Sequence, residues 1–533
     1  MSRRRTLLAL AVAGTAWTVP LGPAAPPAHA APEPVPPADA SPVMDPARAV
    51  DYWTARKQSK ADAAELPEAM VLPAGKRRGR TGDRPAARPG ERPGERPGER
   101  SGERSRERSA ERGERPGERP GGRPGERPGG RPGERPVEGP GEQPGPRPAV
   151  LGSEGRPVSV PVAERLTPGA DANGYGRMRR PYTRAANSRA TGRLFFLDAD
   201  GTRRSCSGAV VNSGSRLLLA TAAHCVYGVS KRDNRGRWSS NLAFVPAYDG
   251  HAKASADRAP YGVWGARRVW KPRAFTGEGH WDWDSIYDLA LVEVGRRGDR
   301  TLQGTVGAYT PLRNEGGRFT VTTLGYPSDE PYDGTRQLWC LGRTQPWSGY
   351  ARPDRRVTGR LYTDNCHLFG GNSGGPWLDR DTGLLLGVLS SGAADESTAG
   401  YAVANPFGRA SYGALVRDAD PHGVYDALSV KGSVSGARVS AVVTMRGLVA
   451  ASVPVTFELP HGVSLAPGSR CRASGRQVTC PAGVVRPGDP VTVSFPVRGV
   501  AGERASYRVR VPISHLDPER GDNTHVFGPS ARR

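Results

Sequence analysis

Lysine is nearly missing from this 533-residue chain: seven Lys stand against 69 Arg. The net charge of +23 therefore rests on arginine, and outside one repeat tract that arginine is scattered, without a basic helix or an aromatic-interleaved stripe. That excludes a nucleic-acid surface of the usual kind and leaves, at most, a weak attraction to cell-wall or other anionic polymer. Long apolar runs are absent too. No stretch of 18 apolar residues occurs, which excludes integral membrane association through a helix. Cysteine is sparse, with six residues, no CxxC and no His/Cys cluster at ligand spacing, so no structural metal is expected. What the chain has in excess is Gly 70 and Pro 51, close to the roughly 25–30% level at which a whole chain is low in complexity. Part of it must be flexible, and the rest is long enough for two or three domains.

The flexible part is easily found. Residues 76–150 repeat Gly-Glu-Arg-Pro and close variants every four residues, with 20 basic and 13 acidic residues between 76 and 148 and no apolar periodicity. Proline removes donors and fixes φ, so this tract is read as a disordered spacer. Before it, Arg3-Arg4-Arg5, the apolar stretch from Leu7 to Ala13 and Ala28-His29-Ala30 form the three regions of an export signal, residues 1–30, with the mature chain starting near Ala31. Ser2-Arg3-Arg4 also faintly resembles a twin-arginine signal. Residues 31–75, with Trp53 and Leu66, are either a pro-segment or a short helix, and 151–190 are read as a connecting segment. A secreted, extracellular location follows, and an oxidising one suits cysteines that fall into three local pairs, Cys206/Cys225, Cys340/Cys366 and Cys471/Cys480.

From residue 191 the pattern is all-β. Short runs such as Leu194-Phe195-Phe196-Leu197, Ala209-Val210-Val211 and Leu217-Leu218-Leu219-Ala220 alternate with Gly, Ser and Asp turns, and the pattern recurs at 288–294, 320–324 and 384–389. A second β pattern fills 430–533, with strands expected at 439–444, 453–456, 491–495 and 507–511, about the size of a small sandwich.

Three motifs carry chemistry. Thr221-Ala222-Ala223-His224-Cys225 puts a histidine directly after an apolar strand, Asp288-Leu289-Ala290-Leu291 puts a carboxylate at the mouth of another, and Gly371-Asn372-Ser373-Gly374-Gly375 puts a serine in a glycine-rich turn. Acyl transfer needs these types: Ser373 as nucleophile, His224 as the base that takes its proton, and Asp288 to fix the imidazole tautomer. The glycines let the Gly371 and Ser373 amides turn toward one point, an oxyanion hole. Asp282 and Asp284 lie near Asp288 in sequence, and the Leu-Ala-Leu context selects Asp288.

In the order His, Asp, Ser, these motifs resemble the chymotrypsin-like serine peptidases over about residues 191–427. The resemblance implies two packed six-stranded antiparallel β-barrels, a substrate crevice between them, protein or peptide substrates and no cofactor. It also implies that Ser390 and Gly392 of Ser390-Ser391-Gly392 line the substrate wall, and that His367, six residues before the serine, sits where trypsins carry an Asp, so cleavage after Arg or Lys is unsupported. Asn372 likewise replaces the Asp that receives a new N-terminal ammonium in trypsins. The Gly370-Gly371-Asn372-Ser373 run looks like the glutamyl-endopeptidase branch, but Leu389 stands where that branch carries its acid-binding His. The hairpin enclosed by Cys471 and Cys480 resembles immunoglobulin-like repeats of bacterial surface and secreted proteins. A serine endopeptidase is the expected function. A non-catalytic surface-binding protein and an esterase with the same triad are the alternatives.

Overall fold

The computed structural model describes residues 37–64, 68–69, 160–277, 285–352, 355–393, 400–408, 411–499, 505–514 and 516–528. The chain divides into two units, 1–71 with 149–533 and 72–148. The export signal, the repeat spacer, Asp282 and Asp284 lie outside the described residues, and everything below concerns the first unit. Among its described helices none is long and apolar enough to cross a membrane.

The first sheet closes on itself. Its strands Thr191–Leu197, Arg203–Val210, Leu218–Thr221, Ala290–Val294, Trp264–Pro272 and Ser240–Pro246 each pair antiparallel with the next, and the last returns to the first. Closure pairs the ring strands with one another, while the ends of Arg203–Val210 and Trp264–Pro272 that run beyond their ring partners also pair with the N-terminal segment. Leu194, Phe196, Leu219, Leu291 and Val292 are among the residues buried in one core. A second sheet runs Gln345–Arg352, Arg355–Thr363, Ala402–Pro406, Leu385–Ala393, Pro376–Asp379, Thr320–Gly325 and Leu338–Arg343. The Cys340–Cys366 disulfide ties Leu338–Arg343 to the chain leaving Arg355–Thr363. All three disulfides take the pairing expected from sequence proximity.

The strands read from the sequence are present with moved ends: 194–197 grows to Thr191–Leu197 and 453–456 to Ala450–Glu458, while 288–294 shrinks to Ala290–Val294 and 507–511 to Tyr507–Arg510. Trp264–Pro272 was not legible because the exposed Arg267 and Arg268 interrupt its apolar pattern. The residues from 160 to 190 do more than connect: Gly176–Arg177 adds a short strand to Leu338–Arg343 in the second sheet.

The N-terminal residues hold the short helix that is one reading of them, Pro46–Tyr52. Asp45 caps it by accepting from the Ala47 amide at 2.9 Å, and Pro46 occupies the first position, where its missing N–H has no partner to lose. Trp53 follows the helix, packs on Phe195 with 5.3 Å between ring centroids, and donates from Nε1 to the Asn241 carbonyl at 2.6 Å.

After the helix Tyr412–Ala419 come two further sheets. Leu428–Ser435, Arg438–Met445, Val491–Arg498 and Ser464–Leu465 form one, and Arg472–Ser474, Gln477–Val485, Ala450–Glu458, Tyr507–Arg510 and Thr524–Phe527 the core of the other. Their alternating apolar faces share one buried cluster, in which Phe457 meets Phe495 edge to face at 4.9 Å. The Cys471–Cys480 disulfide closes the hairpin of Arg472–Ser474 with Gln477–Val485, as expected.

Candidate active site

Strand register explains why two residues 64 positions apart meet. Ala290 pairs with Thr221, so His224, three residues past one strand, and Asp288, two residues before the other, emerge at the same end of the barrel. The Cys206–Cys225 disulfide pins the short 3-10 turn Ala223–Cys225 to Arg203–Val210. His224 Nδ1 lies 2.8 Å from Asp288 Oδ2, and the His224 backbone amide donates to Asp288 Oδ1 at 2.9 Å. Asp288 is fully buried. A buried carboxylate is tolerated when its lone pairs are filled, and here Ser390 Oγ also donates to Oδ2 at 2.8 Å. Asn405 Nδ2 donates to the Asp288 carbonyl at 2.9 Å and holds the backbone.

Ser373 sits in a turn that only glycine permits. Gly371 has φ +87°, and a Cβ there would lie 2.6 Å from the Tyr326 carbonyl oxygen. Gly374 has φ +77°, and its Cβ would lie 2.1 Å from Thr221 Oγ1 and 2.8 Å from the Ala222 amide nitrogen, so the serine turn closes directly against the histidine loop. Two bonds from Ser207 fasten this turn to the first barrel: its amide donates to the Ser373 carbonyl and its Oγ to the Gly371 carbonyl, both at 2.8 Å. Ser373 Oγ and His224 Nε2 are buried atoms with no hydrogen-bond partner among the described residues. The Gly371 and Ser373 amides likewise donate to no described group.

The substrate residues implied by the resemblance are placed as follows. Ser390 turns its side chain to Asp288, so its hydroxyl orients the carboxylate. Gly392 pairs with Ala402 on one side of its strand. Behind this wall the buried Arg360 guanidinium donates to Ser390 Oγ at 3.0 Å and Ser391 Oγ at 2.9 Å. His367 stacks on Phe369 at 4.4 Å and packs against Gly400, where a Cβ would come within 2.3 Å of the imidazole's own Cβ. Its Nδ1 is buried without a described partner, and burial pushes the imidazole down to about 4 from 6.5.

That depression makes stability depend on pH. The unfolded chain takes up a proton at His367 that the folded one refuses, so stability is full above 6.5 and falls as pH drops toward about 4. The loss amounts to about 3 kcal/mol. In His367→Gln the thermal midpoint should decline less steeply over that window; an unchanged acid slope would show that His367 does not carry it.

Sequence reasoning missed Tyr175, which no motif marks. Its phenol, pushed by burial well above the usual tyrosine range, accepts from Asn372 Nδ2 and from the Phe369 amide. Asn372 is thus held by a neutral hydroxyl at the position where trypsins use a carboxylate and an ammonium. Tyr175→Phe leaves both donors buried and unpaired, and should lower kcat by about ten-fold and stability by about 1–3 kcal/mol, read from steady-state kinetics and urea unfolding. Unaltered kcat would separate Tyr175 from the ordering of the serine turn.

A group of three candidate metal ligands, Cys206, His224 and Cys225, lies within 4.8 Å, but both sulfurs are spent in a disulfide. Thiolate ligation is therefore closed there.

Residues 206–388 match the family model of the trypsin-like peptidase domain. The chain is similar in structure to the thermostable serine protease AL20 from an extremophilic microorganism, at 25% identity over 45% of this chain and 100% of that one, with a TM-score of 0.36. It is also similar to the protease Anisep from Arthrobacter nicotinovorans, at 24% identity over 44% and 98%, with a TM-score of 0.37. A Glu endopeptidase structure gives 19% identity over 48% and 99%, with a TM-score of 0.34. No curated protein matches. Residues 206–388 thus carry the match to a trypsin-like peptidase domain, and the described elements there are mostly strands.

Proposed function

We propose that this chain is a secreted serine endopeptidase that hydrolyses peptide bonds through His224, Asp288 and Ser373, its β-rich C-terminal region serving as an immunoglobulin-like spacer. The observation that carries the reading is the pairing of His224 Nδ1 with buried Asp288, on a loop packed against a glycine-framed serine whose buried Oγ has no described hydrogen-bond partner. Asp288 keeps the Nδ1 proton in place, so Nε2 presents its lone pair to Ser373 Oγ. Ser373 attacks the carbonyl carbon, its proton passes to Nε2, and the oxyanion is met by the Gly371 and Ser373 amides. His224 then protonates the leaving amine, and water, deprotonated by the same nitrogen, releases the acid from Ser373.

The test compares a peptide amide with the matching ester, for wild type and Ser373→Ala. Serine-dependent hydrolysis of both supports the peptidase. Ester hydrolysis without amide hydrolysis would make it an esterase, and hydrolysis of neither would favour a binding protein.

A further inference from the structure

Two strand edges near Ser373 are paired with the chain's own N-terminal segment. Asp62–Ala63 lies parallel to Arg203–Val210, with Asp62 opposite Arg204 and Ala63 opposite Ser205. The Ala64 amide donates to the Ser205 carbonyl at 2.9 Å, and Ser205 is the residue before the cysteine that pins the His224 turn. Three successive carbonyls of the segment are gripped by side chains of the barrel. Arg193 Nη2 donates to Ala61 at 3.3 Å, Ser205 Oγ to Asp62 at 3.1 Å and Arg204 Nη1 to Ala63 at 3.2 Å. The Ala64 carbonyl then crosses the serine turn, so close that a Cβ on Gly370 would lie 2.9 Å from it. On the far side, Glu68–Ala69 pairs parallel with Gly392 and Ala393, on the side of that strand opposite Ala402.

A strand edge can pair with one chain at a time. We infer that the N-terminal segment is an intramolecular inhibitor, in which Asp62–Ala64 and Glu68–Ala69 occupy the substrate edges on either side of Ser373. This rests on the peptidase reading of that site. The segment is anchored independently of the cleft, by the strand Ala38–Ala40 on Trp270–Pro272 and by Trp53 on Phe195, so its cleft-facing end competes at a high effective concentration without leaving the molecule. Full burial of Ser373 fits an occupied cleft.

Two full-length variants test this. Ala64→Pro removes the amide that donates to Ser205, and Ala69→Pro puts a residue that strands reject into the pair with Gly392 and Ala393 at the other edge. Each should raise kcat/KM on a peptide amide, and the rate at which a fluorophosphonate labels Ser373, by about ten-fold, the equivalent of one lost hydrogen bond. Should either variant misfold, hydrogen exchange in the wild-type chain gives the answer. Labelling Ser373 with a peptidyl phosphonate, which needs the same edges, should expose the amides of residues 61–64, 68 and 69. Unchanged rates in folded variants, or unchanged exchange on labelling, would overturn the inhibitor while Ser373-dependent hydrolysis leaves the peptidase standing. Absence of hydrolysis and labelling in every form would overturn both.

Discussion

Ser373→Ala is expected to lower kcat/KM on a peptide amide by about a million-fold, and adding His224→Ala is expected to lower it no further. The two residues act as one device. Without Oγ there is no nucleophile for Nε2 to deprotonate, so the second loss has nothing left to remove. A remainder of about a thousand-fold over water should persist in both variants, because the Gly371 and Ser373 amides still meet the oxyanion. Single-turnover kinetics on the single and double variants measures this directly. Independent losses that multiply would mean that His224 serves some step other than activating Ser373.

Asp288→Asn should lower kcat by about ten-thousand-fold. The carboxylate accepts from His224 Nδ1 and Ser390 Oγ on one oxygen and from the His224 amide on the other. An amide nitrogen in place of Oδ2 is a donor. It forces Nδ1 to accept, moves the imidazole proton to Nε2 and so points a proton, rather than a lone pair, at Ser373. The other oxygen can still hold the His224 amide, so the loop should stay in place and the fall should appear in kcat with a modest change in thermal midpoint. A loss confined to KM would contradict an orienting role.

The second variant also shows what kind of information the sequence held. Each of the three motifs is local, because a histidine after an apolar strand, an aspartate before one and a serine between glycines are each dictated by the turn that presents them. Their meeting depends on register, and Ala290 opposite Thr221 is a pairing of two apolar strands that the alternation already marked. Tyr175 and the hydroxyl of Ser390 were hidden for the opposite reason. Their roles come from contacts 197 and 102 positions away in the chain, with no pattern at either end. The N-terminal strands are hidden more deeply. Asp62–Ala63 and Glu68–Ala69 are two residues each, too short for any period, and they are held by carbonyls that every residue type possesses equally. Only the apolar Trp53, between two charged stretches, hinted that this segment had something to bury.

An inhibitor held in place also bears on how activity should be sought. The chain as synthesised should turn over slowly, and its activity should rise when the end of the segment loses its grip on Ser205 and Gly392. Mass-spectrometric profiling of new termini in a peptide library therefore uses the full chain and the Ala64→Pro chain, each with and without Ser373→Ala. The account predicts new termini sharing one preference at the residue before the cut, more of them with Ala64→Pro, and none in either chain once Ser373 is replaced. Termini that persist after Ser373→Ala, or none from any of the four, would contradict it.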